Sequence, residues 1–259
     1  MSSAALPPPP PPASGWAGLP HDVLWSAFTV LGQREILSGA GLACAAWWRF
    51  ARDEPAMWRR IDLRASAPRD EDDDDDSSEW KAMTLAAVDR SAGQCEAFWG
   101  RADDEVLLYL ADRTSYMKSL RVTSDYDVSS QVFAEVVKKF PMLEELELVL
   151  KPDAYNYGTK SGLPPTNSWV ELFQSACEAC SHLHNFTVRR ASKVTRFDPY
   201  YLRERRRPFS IPVMHGLHSL ELSDGSFTKD MVMQIVDKCP SLESLNISDV
   251  LAHTHGIKS

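Results

Sequence analysis

Cys177 and Cys180, two residues apart, are followed closely by His182 and His184. Thiolates and imidazoles at such short spacing are the ligand types of a tetrahedral zinc site, so metal binding is the first chemistry the chain offers. Cys44, Cys95 and Cys239 bring the cysteines to five, an odd number in a chain that opens without a basic and apolar leader, and no disulfide framework is expected. Whether the thiols can act as ligands depends on the elements that carry them.

Those elements repeat. Leu143, Leu146 and Leu148 form an L-x-x-L-x-L segment whose closing alternation reads as a short strand. The form recurs at Met117-Leu120-Val122, Leu183-Phe186-Val188, Leu217-Leu220-Leu222 and Leu242-Leu245-Ile247. Ahead of the reference strand lies a helical stripe, Val132, Phe133, Val136, Val137 and Phe140. A shift of 99 residues turns it into Met231, Val232, Ile235, Val236 and Cys239, and a shift of 40 into Leu172, Phe173, Ala176, Cys177 and Cys180. A shift back by 26 gives Val106, Leu107, Leu110 and Ala111, with Thr114 polar. Leu85, Val88, Ala92, Cys95 and Phe98 fit the frame as a weaker first unit. The segment before Leu217 carries Pro208 and Pro212 and no apolar stripe, and irregular structure is expected there.

Helix and strand repeated in register are the signature of a leucine-rich-repeat solenoid, here over residues 80–259, with parallel strands inside and helices outside. Cys177, Cys180 and Cys239 then sit on apolar stripes and read as small buried hydrophobes, so neither a metal nor another cofactor is expected. The chain also lacks a phosphate-cradling glycine loop and a nucleophile elbow; no catalytic residue is assigned and no enzyme is expected.

On the inner wall, the residues between the buried positions face outward. Arg121, Glu145, Glu147, Asn185, Thr187, Arg189, Glu221 and Asn246 are the candidates there for holding a target protein, although such residues can also be merely solvated. The formal charge of −8 drops to −1 once the seven acids of Asp70–Asp76 are set aside, so the footprint of a nucleic-acid binder is missing. No apolar run approaches the roughly 20 residues needed to span a bilayer. Cytoplasm, nucleus or both is the expected location.

Residues 16–63 hold Trp16, Trp25, Trp47, Trp48 and Trp58, five of the eight tryptophans. Pro20 suits a first helical turn, and Val23, Leu24, Ala27, Phe28 and Leu31 give one apolar face that ends at Gly32. Ile36 and Leu37 lie on a second short helix broken by Gly39 and Gly41. A third runs from Leu42 through Cys44, Trp47, Trp48 and Ala51, and Met57, Trp58, Ile61 and Leu63 close the unit. So short a segment is small for an autonomous core, and some of its apolar groups are expected to find burial on a partner.

Leu19-Pro20 with Asp22, the pairs Val23-Leu24 and Ile36-Leu37, then Cys44, Trp47 and a closing Trp58 resemble, in order and spacing, the F-box of plant-type F-box/leucine-rich-repeat proteins. The resemblance implies an α+α/β chain: a three-helix module followed by a short, irregular repeat solenoid. It implies that Leu19, Pro20, Val23, Leu24, Ile36, Leu37, Cys44, Trp47 and Trp58 form or support the surface for the adaptor of a cullin-RING ubiquitin ligase of the SCF type. Its partners would be that adaptor, the cullin and an unknown target protein, and the chain would be a non-catalytic substrate receptor. The residues alone leave open that they pack only on one another or on the downstream repeats, which would make the chain a ligase-independent interaction scaffold.

The remaining stretches are spacers. Residues 1–15 contain Pro7–Pro12 and read as an extended tail, either disordered or docked in an aromatic groove. Residues 64–79, with the acidic run, read as a flexible linker or an acidic interaction segment. Arg203, Arg205, Arg206 and Arg207 read as a solvated loop or a nuclear-import signal. Residues 151–167 form a second exposed loop expected to be within reach of a substrate.

Overall fold

The computed structural model describes residues 15–64, 77–124, 128–150, 169–190, 208–223 and 227–248. The proline run, the acidic run, the 151–167 loop and the arginines at 203–207 lie outside the described residues.

The chain begins with three short helices, α1 (His21–Val30), α2 (Gln33–Ser38) and α3 (Ala45–Asp53). Seven strands follow: β1 (Arg60–Asp62), β2 (Ala97–Arg101), β3 (Ser119–Ser124), β4 (Glu145–Leu150), β5 (Asn185–Arg190), β6 (Ser219–Ser223) and β7 (Ser244–Ser248). They form one parallel sheet in sequence order. Between them run α4 (Ser77–Arg90), α5 (Asp104–Arg113), α6 (Ser130–Val137), α7 (Trp169–Ala179) and α8 (Lys229–Lys238). This is the leucine-rich-repeat solenoid expected from the register.

The strand triplets pair as the repeat demands. Phe98, Leu120, Leu146, Phe186, Leu220 and Leu245 form one row across the sheet, and Val122, Leu148, Val188, Leu222 and Ile247 the next. Every member of these rows up to β6 is buried, so each unit completes its neighbour's core. Side-chain oxygens start three of the helices: Asp103 accepts from the amide of Val106, Ser129 from Val132 and Thr228 from Met231. Thr114, the polar exception in the second stripe, is buried with its hydroxyl donating to the Leu110 carbonyl at 2.7 Å.

Three details depart from the sequence reading. In the first unit Trp80, Thr84, Ala87, Val88 and Ser91 face inward, while Leu85 is half-buried and Ala92 is exposed in a turn with φ 47. The helical frame there is shifted by one residue, although Cys95 and Phe98 are buried as expected. The described residues 208–214 form no helix, as their prolines predict, yet Ile211 and Met214 are buried and Phe209 stacks on Phe173 with ring centroids 6.1 Å apart. An extended segment thus supplies the apolar cover that a helix supplies elsewhere. The third helix begins at Ala45 rather than Leu42; residues 40–42 form a 3-10 turn and Cys44 precedes the helix.

The boundary between module and repeats also moves. Residues 77–79, expected in the linker, belong to α4. β1, expected within the helical module, is the first strand of the repeat sheet, with Ile61 opposite Phe98. Leu24, Phe28, Ile36, Trp58 and Ile61 share one continuous core with the repeats, so the module is the solenoid's N-terminal cap rather than a separate unit. α2, α3 and the 3-10 turn Pro55–Trp58 all pack on α4.

Gln33 closes this junction by standing in for a neighbouring strand. Its side-chain amide donates to the carbonyls of Met57 (2.7 Å) and Arg60 (2.8 Å), and its Oε1 accepts from the amide of Asp62 at 2.6 Å. The outer edge of β1 is thereby satisfied without another strand. Replacing Gln33 by leucine is expected to destabilise the fold by about 2–3 kcal/mol, since three hydrogen bonds worth roughly 1 kcal/mol each disappear. Urea titration of the two proteins at equal ionic strength measures the difference.

Candidate docking face and recognition wall

The nine residues of the helical module singled out in sequence divide by burial. Leu24, Ile36, Leu37 and Trp58 are buried and support the module from within. Leu19, Cys44 and Trp47 are half-buried, and Pro20 and Val23 are exposed. The two adjacent tryptophans separate cleanly. Trp47 meets Phe28 edge-on at 5.5 Å and donates its Nε1 proton to the Trp16 carbonyl at 2.9 Å. Trp48 turns outward beneath the Arg52 guanidinium, 4.3 Å from its ring centre.

Helix α1 has two apolar faces. Leu24 and Phe28 point into the core, while Val23, Ala27 and Val30, spaced i, i+4, i+7, lie exposed. Val23 is 43% exposed, Val30 86%, and on the same module Leu42 is 61% and Trp16 76% exposed. Such a run of exposed apolar side chains on one small unit marks an interaction surface. Sequence reasoning did not single out Val30, Leu42 or Trp16 as docking residues, and it placed Val23 and Ala27 on one face with the buried Leu24 and Phe28. The i, i+4, i+7 spacing of 23, 27 and 30 was the available signal.

The wall is built as the alternation predicts, with most of its charges paired. Arg121 lies 3.2 Å from Glu145 and 3.8 Å from Glu147. Arg189 reaches Glu147 at 3.2 Å on one side and grips both oxygens of Glu221 at 2.8 Å on the other. Asn185 and Thr187 stand between these groups in the register, and Asn246 is the position beyond Glu221. Ser119 is buried because Trp99 covers it: the indole donates to the Ser119 hydroxyl at 3.0 Å, and that hydroxyl donates to Glu145 at 2.9 Å.

The wall's first strands were missed in sequence. Arg60, Asp62, Trp99 and Arg101 continue the outward rows of Glu145, Glu147 and Val149 onto β1 and β2. The alternating Arg60-Ile61-Asp62-Leu63 carried that signal but was read as part of the helical module.

Two ion pairs, Arg189 with Glu221 and Arg64 with Asp62 of β1, give the wall a pH dependence. The hydrogen bond from Arg189 holds the Glu221 carboxyl below its ordinary range, and Arg64 does the same for Asp62. A carboxylate depressed in the folded state contributes stability above its unfolded pKa and loses it as pH falls through the folded value. Lowering the pH from about 5 to about 3 is therefore expected to lower the urea midpoint, and by less in an Arg189→Gln protein, which lacks the stabilising partner.

The cysteine chemistry goes the other way. Burial pushes the Cys95 and Cys180 thiols up to about 12 and Cys239 to about 11, so all three are protonated at neutral pH. Cys177 is buried, while His182 and His184 are exposed. Among the described residues no group of three His, Cys, Asp or Glu is arranged to hold a metal.

The chain is thus a helical module with an outward apolar stripe, fused as a cap to a leucine-rich-repeat sheet. Known proteins sharpen that description. An F-box-like family model matches residues 16–64. F-box/LRR-repeat protein 23 of Arabidopsis thaliana is 29% identical over 255 residues, covering 95% of this chain and 51% of that protein. F-box/LRR-repeat protein 22 of the same plant is 30% identical over 90% of this chain and 69% of its own length. The chain thus spans about half the length of the first and two thirds of the second. A chain of the yeast Rad7 and Elc1 complex is a distant structural likeness, with 13% identity, a TM-score of 0.38 and coverage of 64% of this chain and 39% of its own, too remote to carry an argument. The chain belongs to the plant F-box/LRR-repeat family.

Proposed function

We propose that this chain is the substrate-recognition subunit of an SCF-type E3 ubiquitin ligase, acting in the cytoplasm, the nucleus or both. The exposed stripe of α1, with Leu42, Trp48 and Trp16 on the same module, docks the ligase adaptor, which in turn holds the cullin. The repeat wall holds a target protein. The chain supplies positioning and no catalytic group: holding the target near the ubiquitin-loaded partner converts an encounter into a local reaction. The observation that carries this reading is the exposed Val23, Ala27 and Val30 stripe on a module that matches the F-box.

The alternative, a ligase-independent scaffold, draws its support from the module's role as a cap. Capping uses the inward face of α1 and leaves the outward face uncovered, so the two roles are compatible in one molecule.

Affinity capture from cells with the proteasome inhibited separates the readings. The native chain is expected to recover adaptor, cullin and target, and a Val23→Asp, Val30→Lys variant to recover the target alone. Equal adaptor recovery by both would remove the docking role. Deleting residues 1–63 is the poorer comparison, because it strips β1 and Trp58 from the repeat core.

A further inference from the structure

We propose that the cleft where the helical module meets the first strands of the wall binds a short target segment in which a bulky apolar residue precedes a run of carboxylates. This rests on the reading that the wall holds a target and specifies that target's chemistry.

The cleft has a volume of about 790 Å³, within the size range of ligand sites. Trp25, Leu31 and Met57 give it apolar walls, and Arg34, Arg60 and Arg64 line it as well. Its carboxylates are Asp62 and Glu35. Asp62 accepts from the Nε of Arg64 at 2.9 Å and from its terminal nitrogen at 2.6 Å, and Glu35 folds back against Gly32. Arg34 and Arg60 form no ion pair among the described residues, and the cleft's three guanidiniums outnumber its two carboxylates, Asp62 and Glu35.

Two of the cleft's arginines also reach Trp99. Arg60 and Arg64 lie 5.8 and 5.2 Å from the indole centre, and Arg121 lies 4.8 Å from it. Arg64 is paired with Asp62 and Arg121 with Glu145, whereas Arg60 forms no ion pair among the described residues, so Arg60 is the guanidinium that an incoming carboxylate engages while its cation–π contact is kept. Further along the wall Glu145, Glu147 and Glu221 outnumber Arg121 and Arg189, which discourages an acidic segment from continuing past β3. Apolar anchoring in the cleft followed by carboxylates over Arg60 and Trp99 is the arrangement that meets both features.

The test uses the full chain and a short fluorescein-labelled peptide of glycine and serine carrying one leucine followed by several glutamates, with binding read by anisotropy. Replacing the glutamates by glutamine, or making Arg34→Glu with Arg60→Glu, is expected to weaken binding about tenfold or more. Replacing the leucine by glycine is expected to weaken it several-fold, and Lys138→Glu, on the helical face, to leave it unchanged. Because the acids at 70–76 would compete, the titration is repeated with those seven residues changed to asparagine or glutamine. Binding by neither form, equal binding of the glutamine peptide, indifference to the leucine, or indifference to the double charge reversal each overturns the proposal. Melting curves of the double variant confirm that the fold is kept. Adaptor capture by that same variant keeps the two readings apart: peptide loss with adaptor retained leaves the receptor role standing.

Discussion

Alanine in place of Trp58 is expected to destabilise the protein by about 3–5 kcal/mol, the range for removing a large aromatic from a core. The side chain is fully buried, and its Nε1 donates to the Ala51 carbonyl at 2.7 Å, so both a cavity and an orphaned carbonyl result. The Arg90 guanidinium lies 5.1 Å from the indole centre, with one terminal nitrogen buried and unpartnered, and burial already lowers its pKa. Removing the ring takes away the group that best tolerates this cation. Because the turn bearing Trp58 and helices α2 and α3 converge on α4, the loss reaches the first repeat as well as the helical module. Urea denaturation followed by far-ultraviolet circular dichroism measures it. Phenylalanine at the same position keeps most of the volume and loses the indole donor, and is expected to cost less than alanine.

The second large effect concerns association rather than folding. Val23→Asp with Val30→Lys replaces two exposed side chains of α1 by charges matched to the ends of the helix, a carboxylate in the first turn and an ammonium in the last. Folding stability is expected to stay within about 0.5 kcal/mol of the native chain, as for surface changes that disturb no core contact. Adaptor binding is expected to fall at least a hundredfold. Burying each valine is worth roughly 1.5 kcal/mol or more, and bringing two charges under a protein surface adds a desolvation cost. The variant should also be less prone to self-association than the native chain, since Val30, the most exposed aliphatic side chain among the described residues, is gone.

The repeat half was legible in the sequence because its information is periodic. Leu120, Leu146, Phe186 and Leu220 recur with their helical stripes, and each pair stands opposite the other in the sheet. The same register settled the cysteines, since a thiol standing where Phe140 stands is a core residue. What escaped was the junction. Arg60, Asp62 and Trp99 contribute to the wall only because β1 joins the sheet, and a three-residue strand leaves almost no alternation to read. Gln33 was invisible for a related reason: a glutamine that completes a strand edge looks the same in sequence as one facing solvent. The helical module was recognised by resemblance, but its working face was not resolved, because an α1 that is apolar on two sides gives no contrast from which to choose. The burial of Leu24 and Ile36 and the exposure of Val23 and Val30 show which side faces the core and which faces outward.

Calorimetric titration of purified adaptor into the native chain and into the Val23→Asp, Val30→Lys variant tests the central claim most directly, with both proteins first matched for melting behaviour. The docking account predicts saturable one-to-one binding by the native chain and at least a hundredfold weaker binding by the variant. Equal affinity of the two proteins, or no binding by the native chain, would contradict it.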